Sequence, residues 1–430
     1  MADARTPSAA LRSVTGLAAA IVSAAIAPFL VGSLAPRIAQ SIPFSTGDVG
    51  MAMAGFYLVS GVLSPAGGRV VGRLGPTTAL RWACGLSTVG LLAMAAATSA
   101  LQLVVILTLL GVPNAVVQPS CNRVLARLRS PQVRAVSFGV VQASIPAATL
   151  IAGVLLAVAS YGGNWRWTVL GVVVLTIVAQ IPIPNVPHEH SSASAVVAAS
   201  PRRLGALGGR VPTLLPALVA TGFLASCAVT SLPSFAATTG QQLLLAPWLI
   251  AVAQTLGSAG SALMRIAAPA LTSRASERRQ LVAVALLQGT GLFGFLGLAS
   301  GSSAGFVTGT VAAFTFGWGF NGLFNLIVTN AYPDRIATAT GLTQGGVFIG
   351  GMTGPLAFAA IAGSDHFGAA WLAMALFMGT ALVATLLAAR RARPTAVTPH
   401  PEVHAGPVQA SECNPAVSPH LCPTPEGRAP

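Results

Sequence analysis

The sequence is poor in charge and contains no lysine at all. Charged residues make up 7% of its 430 residues and hydrophobic residues 54%, whereas an ordinary soluble domain is about a quarter charged. A soluble fold of this length could not cover its surface with so few charges. The mean hydropathy of +0.75 and the many apolar runs long enough to cross a bilayer predict an integral membrane protein.

Acidic residues are especially scarce. All nine of them fall in predicted loops, tails or helix ends, and no histidine falls within an apolar run. An intramembrane carboxylate is the usual site of proton coupling, so a proton is a candidate coupling ion for which the sequence offers no site. The only remaining candidates for a proton-coupling site are Asp48 and Asp365, at the outer rim of the predicted spans.

The sequence also lacks the clusters that enzymes and metal sites need. Cys84, Cys121 and Cys227 lie in apolar runs, where a thiol behaves as a small hydrophobe. Cys413 and Cys422 fall in a Pro-rich tail at a spacing that fits no zinc site. No nucleophile–base pair or phosphate-binding loop is present. The sequence therefore predicts no enzyme, no cofactor and no metal site.

The excess of basic over acidic residues does not indicate a nucleic-acid partner. The net charge is +14, but the arginines stand in short clusters between apolar runs and not along one face. That is the pattern of loops that follow the positive-inside rule. With a cytoplasmic N-terminus, 20 arginines lie beside inner loops and tails, against Arg37 and Arg166 outside and Arg428 far out in the tail. Both termini are expected on the cytoplasmic side of a bacterial-type plasma membrane.

A stretch in the first half of the chain recurs 202 positions later. The matched pairs are Pro131 with Pro333, Gly139 with Gly341, and Gln142 with Gln344. A fixed long offset indicates a chain built from two similar halves. The apolar runs number twelve, six in each half.

The predicted domains follow from these runs and from shifts in composition. They are a cytoplasmic segment at 1–11, a six-helix bundle at 12–184, a cytoplasmic linker at 185–212, a second six-helix bundle at 213–391, and a disordered Pro-rich cytoplasmic tail at 392–430. The residues Ser45 to Asp48 favour the start of the second span. The eighth span is expected at about 244–268, and Arg265 is assigned with Arg274, Arg278 and Arg279 to the loop that follows it.

This organisation resembles the major facilitator superfamily. The family's motif between helices two and three is a Gly, three residues, an Asp, a basic residue, one residue and a Gly. Gly68, Arg73 and Gly75 match it, while Gly72 stands at the Asp position, and the degenerate copy between helices eight and nine keeps Arg274. The resemblance covers about residues 12–391.

The resemblance implies an all-α integral membrane fold of 12 transmembrane helices in two pseudo-symmetric bundles. It also implies that the loops at Gly68 to Arg81 and Arg265 to Arg279 form an inner gate. Arg69 and Arg73 have two interpretations that stay open: they cap helix carbonyls, where the dipole favours cations, or they only set topology.

Amide side chains are the main polar groups within the spans. Asn114, Gln118 and Asn122 recur every four residues and so share one face of the fourth span. Asn321 and Asn325 do the same on the tenth span, near Trp318. In the resembled fold these two helices line the central cavity. The alternative is that the amides only hold helices together.

Two groups of candidate residues follow. The predicted substrate-binding residues are Asn114, Gln118, Asn321, Gln254, Trp318 and Arg37. The predicted gating residues are Gly68, Arg69, Gly72, Arg73, Gly75, Arg274, Gln142, Gln344, Asn122 and Asn325. Arg37, beyond the first span, either attracts an anionic solute or is an ordinary interfacial residue.

The sequence predicts a secondary active transporter that moves a small organic solute by alternating access and functions as a monomer. Amides with aromatic neighbours and no fixed charge favour a drug-like, exported compound over a charged metabolite. The alternative is a membrane receptor or scaffold that uses the same fold without moving solute.

Overall fold

A computed structural model describes residues 7–125, 131–160, 164–185, 214–332 and 336–392. Within these ranges every regular element is helical. The predicted linker, apart from Asn185, and the predicted tail with Cys413 and Cys422, apart from Ala392, lie outside the described residues.

Twelve helices make up the described part of the chain, in two sets of six. In the first half they are α1 Pro7–Ile38, α2 Thr46–Leu74, α3 Pro76–Ala96, α4 Ala100–Leu125, α5 Pro131–Ser160 and α6 Trp165–Val178. In the second half they are α7 Leu214–Gln242, α8 Pro247–Thr272, α9 Glu277–Ala299, α10 Ser303–Ala331, α11 Ile336–Ala362 and α12 Phe367–Arg391.

The predicted membrane fold is confirmed. Eleven of the described helices are long and apolar enough to cross a bilayer, and α6 is apolar but shorter, at 14 residues. Within α10, a π-helical turn at Ala313–Trp318 interrupts the α-helix. Such turns are rare, and they often occur at functional sites.

Local sequence explains how α2 begins and ends. The helix begins in the predicted stretch, where Ser45 and Asp48 form a capping box with the Ser45 amide donating to the Asp48 carboxylate at 2.8 Å. At the other end the motif stretch is not the predicted loop, because α2 continues through Leu74. Gly75 alone separates α2 from α3, and its φ of 80° is a conformation that glycine adopts without strain.

The helix ends form two faces, which we call the basic face and the opposite face. The basic face holds the ends where α2, α4, α8 and α12 finish, together with their arginines. Its described arginines include Arg69, Arg73, Arg81, Arg123, Arg274, Arg278, Arg279, Arg390 and Arg391. The starts of α3 and α9 lie on the basic face too, whereas the opposite face holds the end of α1 and the start of α6, with Arg37 and Arg166.

The two halves pack through their central helices. At Gly32 on α1, an added Cβ would lie 2.1 Å from the Pro233 carbonyl oxygen and 2.8 Å from the Ser234 Cα on α7. Only a residue without a side chain allows the two backbones to approach this closely. The contact joins the first half of the chain to the second near the opposite face.

Candidate functional site

Arg265 is the most unusual side chain in the described interior. It belongs to α8, not to the arginine loop to which the sequence analysis assigned it, so that prediction is wrong. Thr272 ends the helix seven residues later, about 10 Å along the axis. The side chain is only 3% exposed, and it lies within the membrane-spanning bundle.

The Arg265 guanidinium bonds to backbone carbonyls from both halves. Nη1 donates to the Gln142 oxygen on α5 at 3.0 Å, and Nη2 to the Trp318 oxygen on α10 at 3.4 Å. The guanidinium carbon also lies 5.4 Å from the centre of the Trp318 ring, within the range of a cation–π interaction. Arg265 therefore links the two bundles directly.

Proline explains why the Gln142 carbonyl is available. In a regular helix this oxygen would accept the N–H of residue 146, but Pro146 has no N–H to give. The second acceptor, Trp318, stands at the end of the π-helical turn, where regular helical bonding is interrupted. Two local breaks in helix bonding thus supply the acceptors for one buried cation.

The charge on Arg265 is not neutralised within the described residues. Its Nε is buried without a hydrogen-bond partner there. On insertion scales an arginine costs about 2.5–3.5 kcal/mol at the centre of a membrane helix, and Arg265 lies between that centre and the basic-face end of α8. A buried charge met by neutral partners only marks Arg265 as a functional candidate.

Aromatic rings and one predicted amide surround this cation. The Trp318 ring meets Phe29 of α1 edge to face at 5.8 Å and Phe314 at 5.8 Å. Asn321 Nδ2 lies 3.5 Å from the Trp318 oxygen. Three residues predicted for the site or the gate, Gln142, Trp318 and Asn321, therefore meet around Arg265.

The predicted polar stripe on α4 separates into different environments. Asn114 Nδ2 donates to the Ser60 hydroxyl on α2 at 3.0 Å, a contact within the first half. Gln118 is half-buried and has no hydrogen bond within the described part of the chain. Asn122 is exposed. Gln118 is thus the member of the stripe whose amide is free to meet a solute.

Gln254 lies in a different part of the interface from Arg265. It is fully buried, and its Nε2 donates to the Ser33 hydroxyl at 2.7 Å and to the Thr149 oxygen at 3.3 Å. The Thr149 hydroxyl donates to Ser258 at 2.9 Å. We call Ser33, Thr149, Gln254 and Ser258 the opposite-face seam. Its bonds join α8 to α1 and α5, so they hold the halves together on that side.

The predicted gating residues lie toward the basic face. The Gln344 amide donates to the Asn325 oxygen at 3.3 Å, which ties α11 to α10. At Gly72 an added Cβ would lie 3.4 Å from a guanidinium nitrogen of Arg123. The aspartate that the resembled motif has at this position would therefore stand beside a cation. Gly68 is buried on α2, and the side chains of Arg69, Arg73 and Arg274 are exposed.

Arg37 lies at a small cavity on the opposite face. The cavity has a volume of about 150 Å³ and is lined by residues of both halves, among them Arg37, Leu156 and Gln241. Arg37 Nη2 donates to the Ser160 oxygen at 3.0 Å. The residue is thus at the interface between the halves and not at the lipid-facing surface.

Replacing Gly322 with alanine is expected to displace Arg265. The new Cβ would lie 2.4 Å from the Arg265 carbonyl oxygen and 2.8 Å from its Cα, so α8 and α10 must move apart. Overpacking of this kind costs about 1–3 kcal/mol, which thermal unfolding of the purified protein would measure. Gly341→Ala is the control, because a Cβ there has nothing within 4 Å. Equal unfolding midpoints for the two variants would contradict the close packing.

Comparisons with known proteins agree with this architecture. The model of the Major Facilitator Superfamily matches residues 13–355. Among solved structures, the crystal structure of a mutant of the nucleoside transporter NupG superposes with a TM-score of 0.67 at 13% identity. The match covers 88% of this chain and 98% of that chain. A search of curated proteins returned no match. The family match spans most of the chain, and the chain belongs to the Major Facilitator Superfamily.

Proposed function

We propose that this protein is a secondary active transporter that moves a small organic solute across the membrane by alternating access. One observation carries the proposal: a buried arginine, with no counter-ion in the part of the chain that the structure describes, lies between two six-helix halves and bonds to both of them. A charge inside the membrane is ordinarily retained for function. Transporters of this architecture bind solute near the midplane, at the interface of the repeats.

The described conformation is closed toward the opposite face. The opposite-face seam and the Gly32 contact hold the halves together on that side. Transport requires these contacts to separate while the basic-face ends approach, so that the central residues face each side in turn. We assign Gln118, Trp318 and Asn321 to solute binding, and Gln254 to closure of the opposite face.

Charge distribution gives the orientation. The basic face carries most of the described arginines, which the positive-inside rule places in the cytoplasm. The opposite-face cavity with Arg37 then opens toward the exterior. Both termini are cytoplasmic in this orientation, and a single chain contains every residue of the proposed site, so a monomer suffices.

Two observations bear on the size and polarity of the solute. The NupG structure is that of a nucleoside transporter, which fits a solute of metabolite size. The aromatic walls around Arg265 suit a solute with an apolar body. Arg265 is a fixed charge inside the interface between the halves, so export of a neutral drug-like compound loses its main support.

The first test is solute binding followed by flux. The purified protein is screened by thermal stability against sugars, organic anions, amino acids and lipophilic cations. A ligand at 100 times its dissociation constant should stabilise the protein by about 2.7 kcal/mol. Gln118→Ala and Asn321→Ala should reduce that effect if their amides touch the solute.

Counterflow into proteoliposomes then separates a transporter from a receptor. Vesicles preloaded with the unlabelled ligand should accumulate the labelled ligand only when the protein is present. A ligand that stabilises the protein but shows no counterflow would favour the receptor and contradict the proposed transport.

A further inference from the structure

Arg265 has no counter-ion within the described residues. Three acidic side chains are described, and each belongs elsewhere. Asp48 caps the start of α2, and Asp365 accepts a hydrogen bond from the Ser364 hydroxyl at 2.6 Å near the opposite face. Glu277 stands in the first turn of α9 on the basic face. Within the described residues, then, no carboxylate neutralises Arg265, and its guanidinium is open to a bound anion.

The N–H groups of Arg265 are arranged so that they can bind an anion. Both terminal nitrogens bond to neutral carbonyls, and Nε has no partner in the described chain. The guanidinium fork matches the two oxygens of a carboxylate, or two of a phosphate. Hydrogen bonds between ionised partners are shorter and roughly twice as strong as neutral ones. An anion bound end-on to Nη1 and Nη2 would thus compete with the Gln142 and Trp318 carbonyls for these donors.

The surroundings of the guanidinium favour an organic anion over an inorganic one. The Trp318 ring lies against the guanidinium, and Phe314 and Phe29 pack on that ring to extend an aromatic wall. Such walls bury the apolar body of a ligand, while one charged residue fixes its orientation. Arg265 is also inside the bundle and not at the lipid-facing surface, which excludes a lipid headgroup.

We propose that Arg265 binds the anionic group of the transported solute, and that the solute is a small organic anion with an apolar, ring-sized body. This inference rests on the proposed transport function. In the described conformation Arg265 also links α8 to α5 through the Gln142 carbonyl. When the anion takes the Nη1 donor, that link between the halves is released. One residue thus recognises the solute and frees the two halves to move.

A second cation lies on the same interface. Arg37 lines the opposite-face cavity, and it too bonds to a neutral carbonyl, that of Ser160. The cavity volume of about 150 Å³ is that of a site known to accommodate a single aromatic ring. Within the described residues the interface between the halves therefore offers two cations and no carboxylate.

Thermal stability of the purified full-length protein tests the proposal with three probes of one shape. Benzoate, benzamide and benzylamine carry a negative charge, no charge and a positive charge, and sodium chloride at equal ionic strength is the inorganic anion. The variants are Arg265→Gln and Arg265→Lys. Arg166→Gln is the matched control, because Arg166 also donates to a carbonyl, that of Ala97 at 2.7 Å, and lies 4.5 Å over the Trp165 ring.

Benzoate alone is expected to stabilise the protein. Arg265→Gln should weaken the affinity for benzoate at least tenfold, Arg265→Lys by less, and Arg166→Gln not at all. If Arg265→Gln does not fold, Arg265→Lys still tests the proposal, because lysine keeps the positive charge but cannot make the two parallel hydrogen bonds of a guanidinium. No effect of benzoate, an equal effect of benzamide or chloride, or an effect that survives in Arg265→Gln overturns the proposal.

Flux separates this inference from the proposed function. Benzoate that binds through Arg265 but does not cross the membrane refutes transport and leaves the anion site standing. Transport of a neutral solute that Arg265→Gln leaves unchanged keeps the transport function and refutes the anion site.

Arg37→Gln tests whether anions are attracted into the opposite-face cavity. Electrostatic steering is screened by salt, so the variant should slow benzoate uptake several-fold at low ionic strength and much less at high ionic strength. The measurement is the initial rate of uptake into proteoliposomes at two salt concentrations. An equal loss at both concentrations would show that Arg37 does not steer the anion.

Discussion

Replacing Gly32 with alanine is expected to open the opposite face. The added Cβ would lie 2.1 Å from the Pro233 oxygen and 2.8 Å from the Ser234 Cα, and these backbone atoms cannot rotate away. Overpacking costs about 1–3 kcal/mol, and separation of α1 from α7 relieves it. The closed conformation should therefore lose population relative to the open one by roughly 5- to 150-fold, since 1.4 kcal/mol corresponds to tenfold.

Cysteine labelling measures this opening. Ala237 lines the opposite-face cavity and is 1% exposed, so Ala237→Cys should react slowly with a membrane-impermeant maleimide in the closed conformation. The five native cysteines are first replaced by alanine. Adding Gly32→Ala should raise the labelling rate, whereas Gly139→Ala, whose Cβ has nothing within 4 Å, should not. Unchanged labelling in the Gly32 variant would show that the contact does not close this face.

Arg265→Gln is expected to leave the unliganded protein at least as stable as the wild type. Removing the partner of a buried charge usually destabilises the folded protein by about 3–5 kcal/mol. Removing the buried charge itself also removes the free-energy cost of taking that charge out of water. Glutamine still offers an N–H to one of the two carbonyls that Arg265 now serves. A side chain kept for solute binding, and not for packing, should therefore be replaceable without loss of stability.

Thermal unfolding without ligand checks this expectation. An unfolding midpoint equal to or above that of the wild type supports a functional role for Arg265. A clearly lower midpoint would mean that its bonds to Gln142 and Trp318 outweigh the cost of burying the charge. Gly322→Ala provides the contrast, because it disturbs the same contact through packing and is expected to lower the midpoint.

Composition and periodicity sufficed for the fold but not for the centre of the site. Apolar runs follow directly from bilayer thickness, so the twelve helices could be counted from the sequence. Arg265 was missed because it was grouped with the loop arginines by proximity in sequence. The run from Ile266 to Thr272 is apolar except at its end, and the helix continues through it for about two turns although it contains Pro269. That continuation is the signal that places Arg265 inside the membrane.

The amide residues show why side-chain roles need the packed structure. Gln142 was singled out for its amide, yet its backbone oxygen makes the contact, because Pro146 removes the helical donor. Gln254 was predicted to bind solute, and in the described conformation its amide bonds across the halves to Ser33. Sequence periodicity gives the face of a helix on which a residue lies, but not which helix packs against that face.

Uptake of labelled benzoate into proteoliposomes tests the central claim most directly. The wild type, Arg265→Gln and Arg166→Gln are reconstituted at equal density, and initial rates are measured under an imposed benzoate gradient, with the rate for protein-free vesicles subtracted. We predict protein-dependent uptake that Arg166→Gln retains and Arg265→Gln reduces at least tenfold. Equal uptake by the wild type and Arg265→Gln would contradict the assignment of Arg265 to the anion site.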